Sequence, residues 1–193
     1  MEQAGAHAAA QIRHAATRQF GQDALVRDVE RLVERARPIR PHRAVDAGDP
    51  GRQWSSEPVR YLLTEEESKE YGRLRTPESR KAFVSAFWRK LDIDPTTPVN
   101  EFKDRFDRLC AEADRRFREP GASGWRSDRG RILILLGEPD AVRAAGGDPV
   151  SAARENWIYE HPPGGRAGPL KVVFYGNRSG QFHLRPDART YAD

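Results

Sequence analysis

Four ionisable residues lie close together in the chain: Asp128, Arg129, Glu138 and Asp140. If they converged on a cleft where helices meet a sheet, acidic groups beside an arginine would make the site of an enzyme of unrecognised type. Asp128 and Arg129 would also present a charged pair beside an aromatic platform, Trp125. The opposing reading is structural. Trp125 caps the core of a sheet, Asp128 orders its turn through neighbouring backbone, and a half-buried Asp–Arg pair holds helices against strands. These residue types favour the structural reading.

Other candidate chemistry is weaker. Gly137-Glu138-Pro139-Asp140 lacks the glycine run and lysine of a phosphate loop, and Pro139 has no N–H to donate. It reads as a strand-to-turn transition. Asp92 and Asp94 are two carboxylates where a hard cation needs six or more oxygens or several waters, and Asp94 before Pro95 suits a turn. His7, His14, His42, His161 and His183 are scattered, without the spacing of a zinc site. His161 and His183 fall at strand ends and could approach each other. No Gly-x-Ser-x-Gly elbow occurs. Cys110, the single cysteine, falls on the apolar face of a helix, where a buried thiol is inert. Sequence reading therefore assigns no catalytic residue, no metal and no cofactor.

The elements that must position these residues follow from periodicity. Thr64 with Glu67 forms a capping box. Thr76-Pro77 opens a helix to Leu91 with Phe83, Phe87 and Leu91 on one stripe. Thr97-Pro98 repeats the start signal, and Phe102, Phe106, Cys110, Ala113 and Phe117 share the next helix face. The period then changes. Arg131–Leu136 is a short apolar run bounded by glycines and predicts a buried strand. Asn156–His161, Leu170–Tyr175 and Gln181–Leu184 predict further strands, with a hairpin loop over Gly176–Gly180. The expected fold is α+β, with N-terminal helices packed on a small antiparallel sheet formed by the C-terminal half.

Composition sets the remaining bounds. Residues 1–53 read as an Ala/Arg-rich helical extension followed by a Pro/Gly linker, and residues 54–193 as the α+β domain. In the extension, Ile12, Ala16 and Phe20, then Leu25, Val29, Leu32 and Val33, recur at helical spacing. Gly21 separates the two runs, and Gln22–Arg37 is the better helix. The 33 basic residues are opposed by 29 acids, and no third of the chain is strongly basic, so no nucleic-acid role is expected. One cysteine excludes an internal disulfide framework. No apolar stretch approaches the roughly 20 residues of a membrane span.

Gly124-Trp125-Arg126-Ser127-Asp128 resembles the signature of the GWxTD domain, a bacterial family, with serine in place of threonine. The likeness extends to Tyr61–Glu67, which is similar to the family's opening strand and helix start, to Leu74–Glu78 with Phe83, Phe87, Trp88 and Asp92, and to Asp94–Phe102. Trp157-Ile158-Tyr159 and Val173-Phe174-Tyr175 continue it, so that it covers roughly Tyr61–Leu184. The family is known by this pattern and not by an established activity, so the resemblance implies motif residues of unknown role. They are Gly124, Trp125, Ser127, Asp128, Arg129, Gly130, Gly137, Pro139, Asp140, Trp157 and Tyr159. Many relatives resemble exported proteins with signal peptides or lipoprotein anchors. This N-terminus has no hydrophobic signal core, so the expectation is cytoplasmic as the sequence stands, or periplasmic or secreted if a leader is missing. The expected function is a non-enzymatic interaction or scaffold module for an unknown protein partner, of unknown oligomeric state. The rivals are the enzyme above and, by a loose likeness to small BamE-like envelope lipoproteins, an envelope assembly factor.

Overall fold

The computed structural model describes residues 54–119, 122–145, 153–162, 168–184 and 190–191. The expected N-terminal helices and linker lie outside the described residues. The described chain forms two compact units, one ending at Asp107 and the other starting at Arg108.

In the first unit, two short 3-10 turns, Trp54–Ser56 and Pro58–Tyr61, precede helix α1 (Glu65–Arg73). Tyr61 and Leu62 therefore belong to a turn and not to the opening strand that the likeness suggested. The capping box is present: the Thr64 hydroxyl accepts from the Glu67 amide at 3.1 Å, and Glu67 accepts from the Thr64 amide at 2.9 Å. Helix α2 (Pro77–Lys90) starts as predicted, with the Thr76 hydroxyl accepting from the Ser79 amide. Helix α3 (Glu101–Phe117) starts three residues later than Thr97-Pro98 suggested. Asn100 is its cap, because its Oδ1 accepts from the Lys103 amide at 2.8 Å while its Nδ2 donates to the Trp88 carbonyl. Thr97 spends its hydroxyl on the loop carbonyls and Glu101.

The predicted aromatic stripe makes this unit's core. Trp54 meets Tyr71 at a tilt and Phe83 and Phe87 edge to face, at centroid distances of 5.0 to 6.1 Å. Trp88 meets Phe106 at 5.6 Å. Buried Arg80 donates to the Leu74 carbonyl at 2.9 Å, which closes the turn between α1 and α2.

Glu67 also binds Lys90 at 2.9 Å. Burial pushes its carboxyl up, but the bonds from Lys90 and Thr64 outweigh that and hold it below its ordinary value. A carboxyl lowered by folding contributes its stability in full above its unfolded value of about 4.5 and loses it as pH falls through the folded value. Urea midpoints measured from pH 6 to pH 3 should therefore fall more in the native chain than in a Glu67→Gln variant. Thr64→Ala should lower the unfolding free energy by about 1 kcal/mol at neutral pH.

In the second unit the end of α3 leads to a 3-10 turn (Gly124–Arg126) and helix α4 (Asp128–Leu136). The apolar run Arg131–Leu136 is thus helix, not strand. It reads as continuous because every one of its residues but Leu135 is buried, so no polar face breaks the pattern. An antiparallel sheet follows, in the order β1 (Ala141–Ala145), β2 (Arg154–Tyr159), β3 (Leu170–Gly176), β4 (Phe182–Leu184). The pair β5 (Thr190–Tyr191) lies against the start of β3. The α+β class stands, with helices first and the antiparallel sheet after. The register Val142↔Trp157↔Val172 and Glu155↔Phe174↔Leu184 sets one face. Trp157 and Phe174, both at 0% exposure, form its centre, and Phe117 of α3 packs on Trp157 at 5.7 Å.

Candidate functional site

The residues singled out by motif gather at the two ends of α4. At its start, two backbones touch. Gly124 is buried, and a Cβ there would lie 2.8 Å from both the Arg118 amide nitrogen and Asp114 Cα, and closer still to the Ala113 carbonyl oxygen. Gly130 presses on Gly124 in turn: its Cβ would lie 2.9 Å from the Gly124 carbonyl carbon and nearer to its oxygen. Only residues without Cβ allow this crossing. Between them Ser127 caps α4. Its hydroxyl accepts from the Gly130 amide at 3.0 Å and donates to the Gly124 carbonyl at 2.7 Å. Either serine or threonine supplies that hydroxyl. The Trp125 amide donates to Asp114 at 3.2 Å, and the Trp125 ring is 9% exposed, with the Arg126 guanidinium 4.3 Å from its centroid.

Asp128 and Arg129 do not pair with each other. Asp128 Oδ1 accepts from Arg131 at 2.8 Å and Oδ2 from the Leu184 amide at 2.7 Å. Arg129 donates to Glu155 at 3.3 Å and sets its guanidinium against Phe182 at 4.2 Å and Phe117 at 4.9 Å. Glu155 receives the Trp157 indole N–H on its other oxygen. Half-buried acid, guanidinium and rings thus form one tie between α4 and the sheet.

At the other end of α4, Gly137 stops the helix. Its φ of 82° is a conformation that favours glycine, and its amide donates to the Leu133 carbonyl at 2.8 Å. Gly137-Glu138-Pro139-Asp140 is accordingly a helix-to-strand turn, not the strand-to-turn transition expected. Glu138 pairs with Arg116 at 2.6 Å. Asp140 Oδ2 accepts from the Glu160 amide at 2.7 Å, and the Asp140 amide donates to the Ile158 carbonyl. Tyr159, buried, donates its hydroxyl to the Gly137 carbonyl at 3.1 Å. Burial, then the Glu138 and Asp140 carboxylates, push its phenol well above the usual range, so it stays a donor.

Asp128, Arg129, Glu138 and Asp140 therefore fall into two groups. Asp128 and Arg129 sit at one end of a nine-residue helix, Glu138 and Asp140 just past the other, about 12 Å away along its axis. Each faces a donor or acceptor of its own chain. Sequence reading missed Asp114, Arg131, Glu155 and Phe182. For Glu155 a signal existed, since it lies two residues before Trp157 and alternation puts both on one face.

His161 and His183 do not meet. His161 follows β2 at the Leu170 end of β3, while His183 pairs with Tyr175 at its far end. His183 lies 3.9 Å from Asp128 and 3.3 Å from Asn177. Asp94 accepts from the amide and hydroxyl of Thr96, the turn role expected. Cys110 is half-buried rather than buried. Among the described residues there is no group of three or more His, Cys, Asp or Glu placed to hold a metal ion, and no helix long and apolar enough to cross a membrane. The family model of the GWxTD domain matches residues 53–183. No curated protein and no solved structure matches the chain.

Proposed function

The chain belongs to the GWxTD domain family, and on that premise we propose that it is a non-enzymatic interaction module whose open sheet edge takes up an extended segment of a partner protein. The observation that carries this reading is β1. One side of β1 pairs with β2, and among the described residues no strand pairs with the other. Val142 shares its face with fully buried Trp157, yet is 50% exposed. An apolar anchor beside unpaired main-chain groups is what strand addition uses, with backbone bonds giving affinity and side-chain pockets giving specificity. Monomeric proteins commonly protect such edges with lysine, proline or a cover. Ala141–Ala145 contains no lysine or proline, and Arg143 is its only charged residue. The motif's ionisable groups support the non-enzymatic half of the proposal, since Asp128, Arg129, Glu138 and Asp140 are engaged within the chain.

The test is affinity capture from a lysate of the source organism, using the full chain and a Val142→Lys variant. A partner retained by the native chain should fall at least tenfold with the variant, while the circular dichroism spectrum and Tm stay unchanged. Equal recovery by both proteins, or no partner with either, would overturn the reading.

A further inference from the structure

Strand register sorts the charges of the sheet by face. One face holds Trp157 and Phe174, and Glu155 is the one charged residue at its described strand positions. Arg129 and the Trp157 indole already occupy that carboxylate. The opposite face carries Arg143 of β1, Arg154 of β2 and Lys171 of β3, and its described strand positions hold no carboxylate. Arg154 sets its guanidinium over the Tyr175 ring at 5.2 Å, towards the middle of the sheet. Arg143 stands at the open edge and is exposed. Its cross-strand neighbour is uncharged Asn156, and Arg154 lies diagonal to it. The edge that offers an apolar anchor on one face, Val142, thus offers a cation on the other.

Resting on strand addition at β1, we propose that the segment taken up carries an aspartate or glutamate between two apolar residues. Successive residues of an added strand point to opposite faces. The acid lies opposite Arg143 on the basic face, and its two neighbours lie beside Val142 and Ala144 on the Trp157 face. An opposite charge directly across a strand pair is favourable and a like charge is not. The acid belongs opposite Arg143 rather than two residues along, opposite Ala141, because the carboxylates of Glu138 and Asp140 stand at that end of β1. The same rule disfavours a second copy of this chain as the occupant. Antiparallel pairing of β1 with itself about Arg143 sets two Arg143 side chains directly opposite. A register shift of two residues leaves them diagonal, and a shift of one puts side chains on the wrong face.

The test pans short random peptides displayed on phage against the full chain, with Val142→Lys and Arg143→Glu variants in parallel. Peptides enriched on the native chain and lost on Val142→Lys are those added at β1. Their consensus should hold Asp or Glu between two apolar residues, and on Arg143→Glu the acid should give way to Lys or Arg. In a synthetic copy of the strongest binder, changing the acid to lysine should weaken binding to the native chain by about fivefold and tighten binding to Arg143→Glu by a similar factor. Peptides that depend on Val142 yet lack the acid, or keep it on Arg143→Glu, would overturn this inference and leave strand addition standing. No enrichment on the native chain over Val142→Lys would sink both. Sedimentation velocity covers the other occupant: a dimer of the native chain that Val142→Lys breaks would assign the edge to a second copy, against the proposal.

Discussion

Gly130→Ala is expected to lower the unfolding free energy by about 2 kcal/mol or more, although alanine is the better helix former by about 1 kcal/mol. Gly130 sits in the first turn of α4. The added methyl would meet the Gly124 carbonyl group and lie 3.0 Å from Trp125 Cα. These are main-chain atoms, held by the capping serine between them, and they cannot swing aside. Overpacking costs about 1–3 kcal/mol, and lifting α4 off the turn also strains the bond from the Gly130 amide to Ser127, a cap worth about 1 kcal/mol. Gly72→Ala is the control. Gly72 lies within α1 with nothing inside 4 Å of its missing Cβ, so alanine there should raise stability by up to about 1 kcal/mol. Urea unfolding of both variants decides the matter. An unchanged midpoint for Gly130→Ala would sink the backbone-crossing account of the motif.

Asp128→Asn is expected to cost about 3 kcal/mol, near the low end of the range for breaking a buried ion pair. Asparagine can still accept the Leu184 amide. It cannot neutralise Arg131, which is 5% exposed and gives Asp128 a 2.8 Å hydrogen bond. The loss comes from leaving a guanidinium buried without its counter-charge, so removing that charge should recover part of it. Asp128→Asn with Arg131→Met should be more stable than Asp128→Asn alone by at least about 1 kcal/mol. If the double variant is instead as unstable as the sum of the singles, the two side chains are not coupled and Asp128 acts through Leu184 alone.

The sequence carried the fold class better than the identity of single elements. Caps were legible where threonine stands three residues before a glutamate or directly before a proline that opens the helix, as at Thr64 and Thr76. Asn100 was obscured by Thr97-Pro98, a better start signal on paper whose hydroxyl serves the loop instead. Helix α4 was misread because burial on nearly every side erases the period that marks a helix. Its true signals were Ser127 before it and Gly137 after it. Strand β1 was invisible because alanine dominates Ala141–Ala145, and alanine is not a strand former. At the candidate site, the spacing Gly-Trp-x-Ser-Asp located the turn but not the partners. Arg129 reaches Glu155, 26 residues on, and Asp128 reaches Leu184, 56 residues on. Such contacts depend on strand register, which local pattern does not encode.

The bond from the Leu184 amide to Asp128 has a consequence for how the chain is made. Synthesis runs from the N-terminus at about 5–20 residues per second, so α4 leaves the ribosome seconds before its last partner exists. Until residue 184 has emerged, Asp128 has only Arg131 to answer it, and Arg129 lacks the Phe182 ring. A nascent chain stopped before residue 182 should expose the apolar side of α4 to chaperones, and one that has cleared the exit tunnel past residue 184 should not.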